Sequence, residues 1–221
     1  MEGKYEKSKF GKCLYAVIAI ILAVTMFAPS AGAYTYTYEI YKIRKTDRFK
    51  FKLYYDLTGY SRTGFANGCA RWNDAVKSKV NNAAILSMDT ATSGKTGFSQ
   101  KMSPDGENVL YKEDLPSIIV PGFTRAHKYQ DPITKEWYIS EADILINVAF
   151  NFVNSTSPTY NYYDTETVMV HELGHVMGLG HPMEGSEYAR TGSSVMIAEI
   201  GKCKRTLDFA DKREVLTCII T

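Results

Sequence analysis

The sequence predicts one domain of mixed strand and helix, preceded by an amino-terminal segment of a different kind. Three observations carry this. Apolar and polar residues alternate over residues 34–43 (YTYTYEIYKI) and again over 49–55, the period of strands with one buried face. Residues 64–80 place Phe65, Cys69, Trp72, Ala75, Val76 and Val80 at spacings of three and four, the period of an amphipathic helix. No internal repeat and no long Pro- or Ser-rich linker divides residues 34–221. With 45% hydrophobic and 23% charged residues among 221, the composition is that of a globular chain and not a disordered one. The formal charge is only +2, without the basic stripe a nucleic-acid binder needs, so nucleic acid is not an expected partner.

The first 33 residues differ from the rest. Lys4, Lys7, Lys9 and Lys12 outnumber Glu2 and Glu6, an uncharged apolar run follows over residues 13–28, and Pro29 and Ser30 lead to Ala31-Gly32-Ala33. A positive start, an apolar stretch and a small-residue A-x-A end are the pattern of a secretory signal peptide, with cleavage expected after Ala33. The other reading is an uncleaved membrane anchor, for which the run is short of the ~20 residues a span needs and is ended by Pro29. The four Lys and two Glu of this segment account for the whole formal charge of +2. Export would remove Cys13 and leave Cys69, Cys203 and Cys218, an odd number that allows at most one internal disulfide. Cys203 and Cys218 are the favoured pair, closing a loop worth ~3 kcal/mol in the chain-entropy account, with Cys69 a buried thiol. The alternative is three free thiols.

Further elements follow in order. Short strands are expected at residues 84–88, 109–112 and 117–120, and the strongest strand region is 136–152 (EWYISEADILINVAFNF). Residues 154–163 form a polar, Tyr-rich loop that contains Asn154-Ser155-Thr156, a glycosylation acceptor where the host modifies secreted proteins. Asp164 is placed as an N-cap, and Glu166 in the first turn suits the helix dipole. That helix runs from Thr165 to about Met177, and Gly178 sits where a left-handed residue would reverse the chain. Residues 207–219 read as a last helix that buries Phe209, Val215, Leu216 and Ile219.

Residues 171–181 read H-E-L-G-H-V-M-G-L-G-H and hold three of the four histidines in the chain. His171 and His175 are i and i+4 on a helix, so their imidazoles leave one face about a turn apart and can share one tetrahedral Zn²⁺. Once Gly178 lets the chain fold back, His181 can add a third ligand, leaving the fourth position open as in catalytic sites. Glu172 is placed to take a proton from a water at that open side. His127 lies in residues 123–129 with no partner nearby in sequence and reads as an ordinary surface or core histidine.

The eleven-residue motif resembles that of the metzincin zinc endopeptidases. Ser193-Ser194-Val195-Met196, 15 residues past His181, is similar to the methionine turn of that clan, which makes Met196 a packing floor beneath the ligands. Glu141-Ala142-Asp143-Ile144 and the Tyr163-Asp164 lead-in through Val168 resemble the matrixin-like branch, notably its compact bacterial members. Arg71-Trp72-Asn73 is similar to the clan's first helix, more weakly. Pro182 follows the third His, as in serralysin-type enzymes and unlike the Ser usual in matrixins. No Tyr stands two residues after Met196, so no tyrosine ligand is implied, and no P-R-C-G latency segment occurs. The stretch 143–171 lacks the histidines of a structural zinc site, so a second zinc or calcium is not implied.

The resemblance implies an α+β, metzincin-like zincin fold: a twisted mixed β-sheet, an active-site helix and a small C-terminal subdomain, as a catalytic domain over residues 34–221. It implies a secreted, monomeric zinc metalloendopeptidase acting on a protein or peptide substrate, with one catalytic Zn²⁺ on His171, His175 and His181 and Glu172 as general base. The alternative is a secreted zinc-containing binding protein or inactive peptidase homologue. No stable membrane span is expected after signal cleavage.

Overall fold

The computed structural model describes residues 40–54, 59–92, 97–99, 103–182, 191–198 and 203–220. These all belong to one compact unit, Tyr36–Thr221. Residues 1–33, expected to be a signal peptide, and residues 34–39 of the first expected strand lie outside the described residues. Among the described residues, no helix is long and apolar enough to cross a membrane.

The architecture mixes helix and sheet. The elements are β1 (Ile43–Arg44), β2 (Phe49–Leu53), α1 (Tyr60–Val76), β3 (Leu86–Thr92), β4 (Asn108–Glu113), β5 (Gly122–Gln130), β6 (Trp137–Asn147), β7 (Asn151–Val153), β8 (Tyr162–Asp164), α2 (Thr165–Val176), α3 (Phe209–Cys218) and β9 (Ile219–Ile220). The main sheet has five strands in the order β3-β2-β4-β6-β5. Its first four strands run parallel, and β5 pairs antiparallel with β6 along one edge. Two small parallel pairs, β1 with β9 and β7 with β8, complete the strands described.

Strand alternation assigns the two sheet faces. Leu110, Ile144 and Ile146 point into the main core with Phe51, Phe65 and Trp72, while Val109, Tyr111 and Leu145 point the other way and close on Phe98. Helix α1 is tied to the sheet by Asn73, whose side chain accepts from Ile85 N and Leu86 N and donates to Leu86 O. It is tied to α2 by Trp72, whose indole donates to the Val170 carbonyl at 2.8 Å. Helix α2 is almost wholly buried, and Asp164 caps it by accepting from Thr167 N.

The carboxyl end of α2 sets the path of the chain. Gly178 has φ +90°, and the Tyr41 carbonyl occupies the space a Cβ would need, so only glycine fits both the turn and the contact. Tyr41 N donates to Gly178 O at 2.9 Å, and Ile40 bridges Leu179, so residues 40–43 clamp the segment leaving α2.

Four expectations are corrected. Residues 117–120 do not form a strand. The Asn147 amide donates to the Leu115 and Ile118 carbonyls, which holds these residues in a turn, and Ile119 is 87% exposed. The strand expected to run to residue 152 stops at Asn147 and resumes only at Asn151, after a turn. Phe209 opens α3 exposed instead of packed. Cys203 and Cys218 are both free, as is Cys69. The segment after Cys203 is anchored at the start of α2 by Lys204 N to Thr167 Oγ1, whereas Cys218 packs beside Gly178 beyond the end of the same helix. Thr167 and Gly178 are ~16 Å apart at helical rise, far beyond disulfide reach.

Candidate metal centre

The helical spacing of His171 and His175, followed by the reversal at Gly178, brings three imidazoles together. His171, His175 and His181 form a group whose ligand atoms all lie within 4.8 Å of one another, and these residues could hold a metal ion. His171 is buried, His175 half-buried and His181 at the surface of a cleft.

Ring tautomers decide what the group can do. His171 Nδ1 lies 2.8 Å from the Val195 carbonyl, and His175 Nδ1 lies 2.7 Å from the Leu179 carbonyl. A carbonyl oxygen only accepts, so each ring donates from Nδ1 and leaves Nε2 as a bare lone pair. Those two Nε2 atoms are nonetheless 3.2 Å apart, and His181 Nε2 lies 3.1 Å from that of His171. Burial pushes His171 down to about 3, aided by the neighbouring His175. Burial likewise pushes His175 down to about 4, with His181 and Lys128 adding to the effect, and it lowers His181. His171 and His175 thus face each other at Nε2 with both Nδ1 protons committed to carbonyls, and the one ring proton of a neutral His181 can reach at most one of its neighbours. Converging lone pairs repel unless a cation lies between them. Three nitrogens held ~2.0–2.1 Å from one tetrahedral ion would lie ~3.3–3.4 Å apart, close to the spacing found. The donor set therefore fits a divalent metal that favours imidazole nitrogen.

The support behind His171 comes from another element. Val195 N donates to Asp211 Oδ2 at 3.0 Å, Ser194 Oγ donates to Asp211 Oδ1, and Met196 N donates back to Ser194 Oγ at 2.9 Å. Asp211, buried on α3, thus holds the 194–196 turn that presents the Val195 carbonyl to His171. Burial raises its carboxyl, and the hydrogen bonds from Ser194 and Val195 oppose the rise. Met196 is fully buried, its sulfur against Gly174 on the ligand helix and near Trp72.

Glu172 lies beside the ligands and is 3% exposed. Burial raises its carboxyl to about 7, against a hydrogen bond from Thr124. The Thr124 hydroxyl lies 2.7 Å from Glu172 Oε2 and 3.0 Å from the Glu172 carbonyl. Gly122 leaves room for the other carboxylate oxygen, since a Cβ there would crowd Glu172 Oε1. The cleft in front of the metal group has a volume of about 840 Å³. Gly122, Thr124, Ala126 and Lys128, alternate residues of β5, line one side of it, and His171, Glu172 and His181 line the other. Among the described residues, strand β5 is the sheet edge on that side, with no strand paired to its outer backbone groups.

The residues singled out from sequence, His171, Glu172, His175, His181 and Met196, all gather here. Gly122, Thr124, Lys128 and Asp211 were not foreseen. The first three lie on the strand the sequence did not reveal. Asp211 was legible only as the far half of a capping box with Asp208. His127 is not isolated: it lies half-buried with Nε2 3.9 Å from Glu141 Oε1, in a second cluster with Asp143. There Glu141 accepts from Asp105 N and Gly106 N, and Asp143 from Val109 N, which pins the chain leading into β4.

No protein-family profile matches the chain, and no curated protein matches it.

Proposed function

We propose that the chain is an exported zinc metalloendopeptidase with a metzincin-like zincin fold. The observation that carries the proposal is the convergence of three imidazoles, with His171 Nε2 3.1–3.2 Å from the Nε2 atoms of His181 and His175, beside a buried carboxylate in an open cleft. A five-stranded mixed sheet with an antiparallel edge along that cleft supports the same reading. A structural site would close its fourth position with another protein ligand; among the described residues the donor group has three members, and it faces a cavity. The segment at residues 1–33 supports export.

His171, His175 and His181 would hold the zinc, with Val195 and Leu179 carbonyls fixing two ring orientations. When bound, the ion would polarise the scissile carbonyl and acidify a water molecule. An extended peptide would lie antiparallel along β5, held by backbone hydrogen bonds. Glu172 has Oε2 held by Thr124, which leaves Oε1 to accept the proton of the attacking water. The same carboxyl then delivers that proton to the departing amine nitrogen as the C–N bond breaks.

The test is Glu172→Ala in the zinc-loaded protein, assayed against a peptide library. One zinc per chain should remain while cleavage falls ~10²–10⁴-fold. Cleavage that persists in the variant, or survives chelation in the parent, contradicts the mechanism. A parent protein that holds zinc and cleaves nothing is instead a zinc-containing binding protein.

A further inference from the structure

We propose that Lys128 makes a subsite for a carboxylate side chain of the peptide, so that the cleft selects substrates with Asp or Glu on the amino-terminal side of the scissile bond. The inference rests on the peptidase reading above and names its substrate class. Lys128 follows Gly122, Thr124 and Ala126 along the β5 face that lines the cleft. It also lines an adjoining hollow of about 370 Å³ with Ile40, Tyr41 and Trp137, so one cation stands where the two spaces meet. Its ammonium lies 3.4 Å from the centroid of the Tyr41 ring, which fixes the charge over an aromatic face. That ring satisfies part of the cation without neutralising it. Among the described residues, no carboxylate lies within ion-pair distance of Lys128. Every other group named on the walls of these two spaces is apolar, aromatic, a hydroxyl, a histidine or Glu172 itself.

The register gives the side of the bond. Thr124 touches Glu172, and Lys128 lies four residues further along β5, ~13 Å at strand rise. A peptide running antiparallel to β5 would have its amino-terminal side toward Lys128. The reach of the lysine back toward the cleft places the facing residue two or three positions before the scissile bond.

The experiment uses zinc-loaded protein and peptides identical except for Glu or Gln at each of three positions on either side of one cleavable bond. Cleavage is measured as kcat/KM, and peptide binding is measured separately in Glu172→Ala. Glu should be preferred about five-fold at one amino-terminal-side position, the size of a partly exposed ion pair. The ratio should fall to near one in Lys128→Gln and invert in Lys128→Glu. Equal use of Glu and Gln by the parent overturns the subsite, as does a preference that persists in Lys128→Gln; a lysine that merely guards a sheet edge would give either result. If no peptide is cleaved but Glu172→Ala still binds the Glu peptide in a Lys128-dependent way, the subsite stands and the peptidase reading falls. Absence of both cleavage and differential binding removes both.

Discussion

Helix α2 carries a buried polar cluster at each end, and the two are built differently. At the amino end, Asp164 and Glu166 are matched by Arg71 and Arg205: Arg71 donates to Glu166 Oε1, Arg205 to both Asp164 oxygens, and Asn67 to Glu166 Oε2. Each buried anion there has a guanidinium on it. At the carboxyl end, His171 and His175 turn Nε2 lone pairs toward each other beside His181, and among the described residues the Glu172 carboxylate has one side-chain donor, the Thr124 hydroxyl. Buried polar groups are ordinarily paired because an unpaired one costs about 1–3 kcal/mol. The first cluster obeys that rule within the protein and is structural. The second leaves the His171 and His175 lone pairs facing each other, an arrangement that a bound cation would satisfy.

The contrast breaks most severely at Gly178. Gly178→Ala would force a side chain into the left-handed region and into the Tyr41 carbonyl, and should cost on the order of 3 kcal/mol or more. Denaturant unfolding measures the loss, and zinc content should drop with it because His181 depends on the same turn. An unchanged midpoint would show that the clamp by residues 40–43 does not form.

At the opposite end, Arg205→Ala should cost about 2–4 kcal/mol, since it leaves Asp164 without its main cation. The pH dependence has a definite sign. Burial alone would raise the Asp164 carboxyl, but hydrogen bonds from Arg205 and Thr167 outweigh it and hold the group below its ordinary 3.8. A depressed carboxylate contributes stability above its unfolded pKa and loses it as pH falls through the folded value. The parent and the variant should therefore differ by a constant amount above about pH 5 and converge below about pH 4. Melting temperatures across that range decide it, and a gap that widens in acid contradicts the assignment.

The smallest expected effect is chemical and local. Thr124→Val should keep fold and zinc but slow turnover about ten-fold, one hydrogen bond's worth of orientation at Glu172. Thr124→Ser should restore it. A loss confined to KM, or no rescue by Ser, would make Thr124 a packing residue.

How far the sequence alone reaches differs along the chain for a physical reason. Helix α2 was legible to within a residue because its cap at Asp164, its apolar residues and its stop at Gly178 all agree. The metal group was legible because i, i+4 spacing needs only one helix. Strand β5 was not. Its residues GFTRAHKYQ are polar on both sides because only one of its edges is paired and one face lines a cleft, so the alternation that betrays β2 is absent. The apolar run Ile118-Ile119-Val120 just before it resembled a strand more, yet Asn147 holds it in a turn by contacts 27–32 residues distant in sequence. Missing that strand meant missing Gly122, Thr124 and Lys128 together. The sheet order, the Asp211 support of the 194–196 turn, and the separation of Cys203 from Cys218 by the length of a helix were illegible because each joins distant segments.

The central claim is that the lone pairs at the carboxyl end of α2 converge on a metal. X-ray absorption at the zinc edge of the purified protein, with zinc content measured on the same sample, tests it directly. The expected result is one zinc per chain with three imidazole nitrogens at ~2.0–2.1 Å and one light-atom neighbour that is not protein. Less than stoichiometric zinc after saturation, or a shell built on sulfur or on fewer than three imidazoles, would contradict the account.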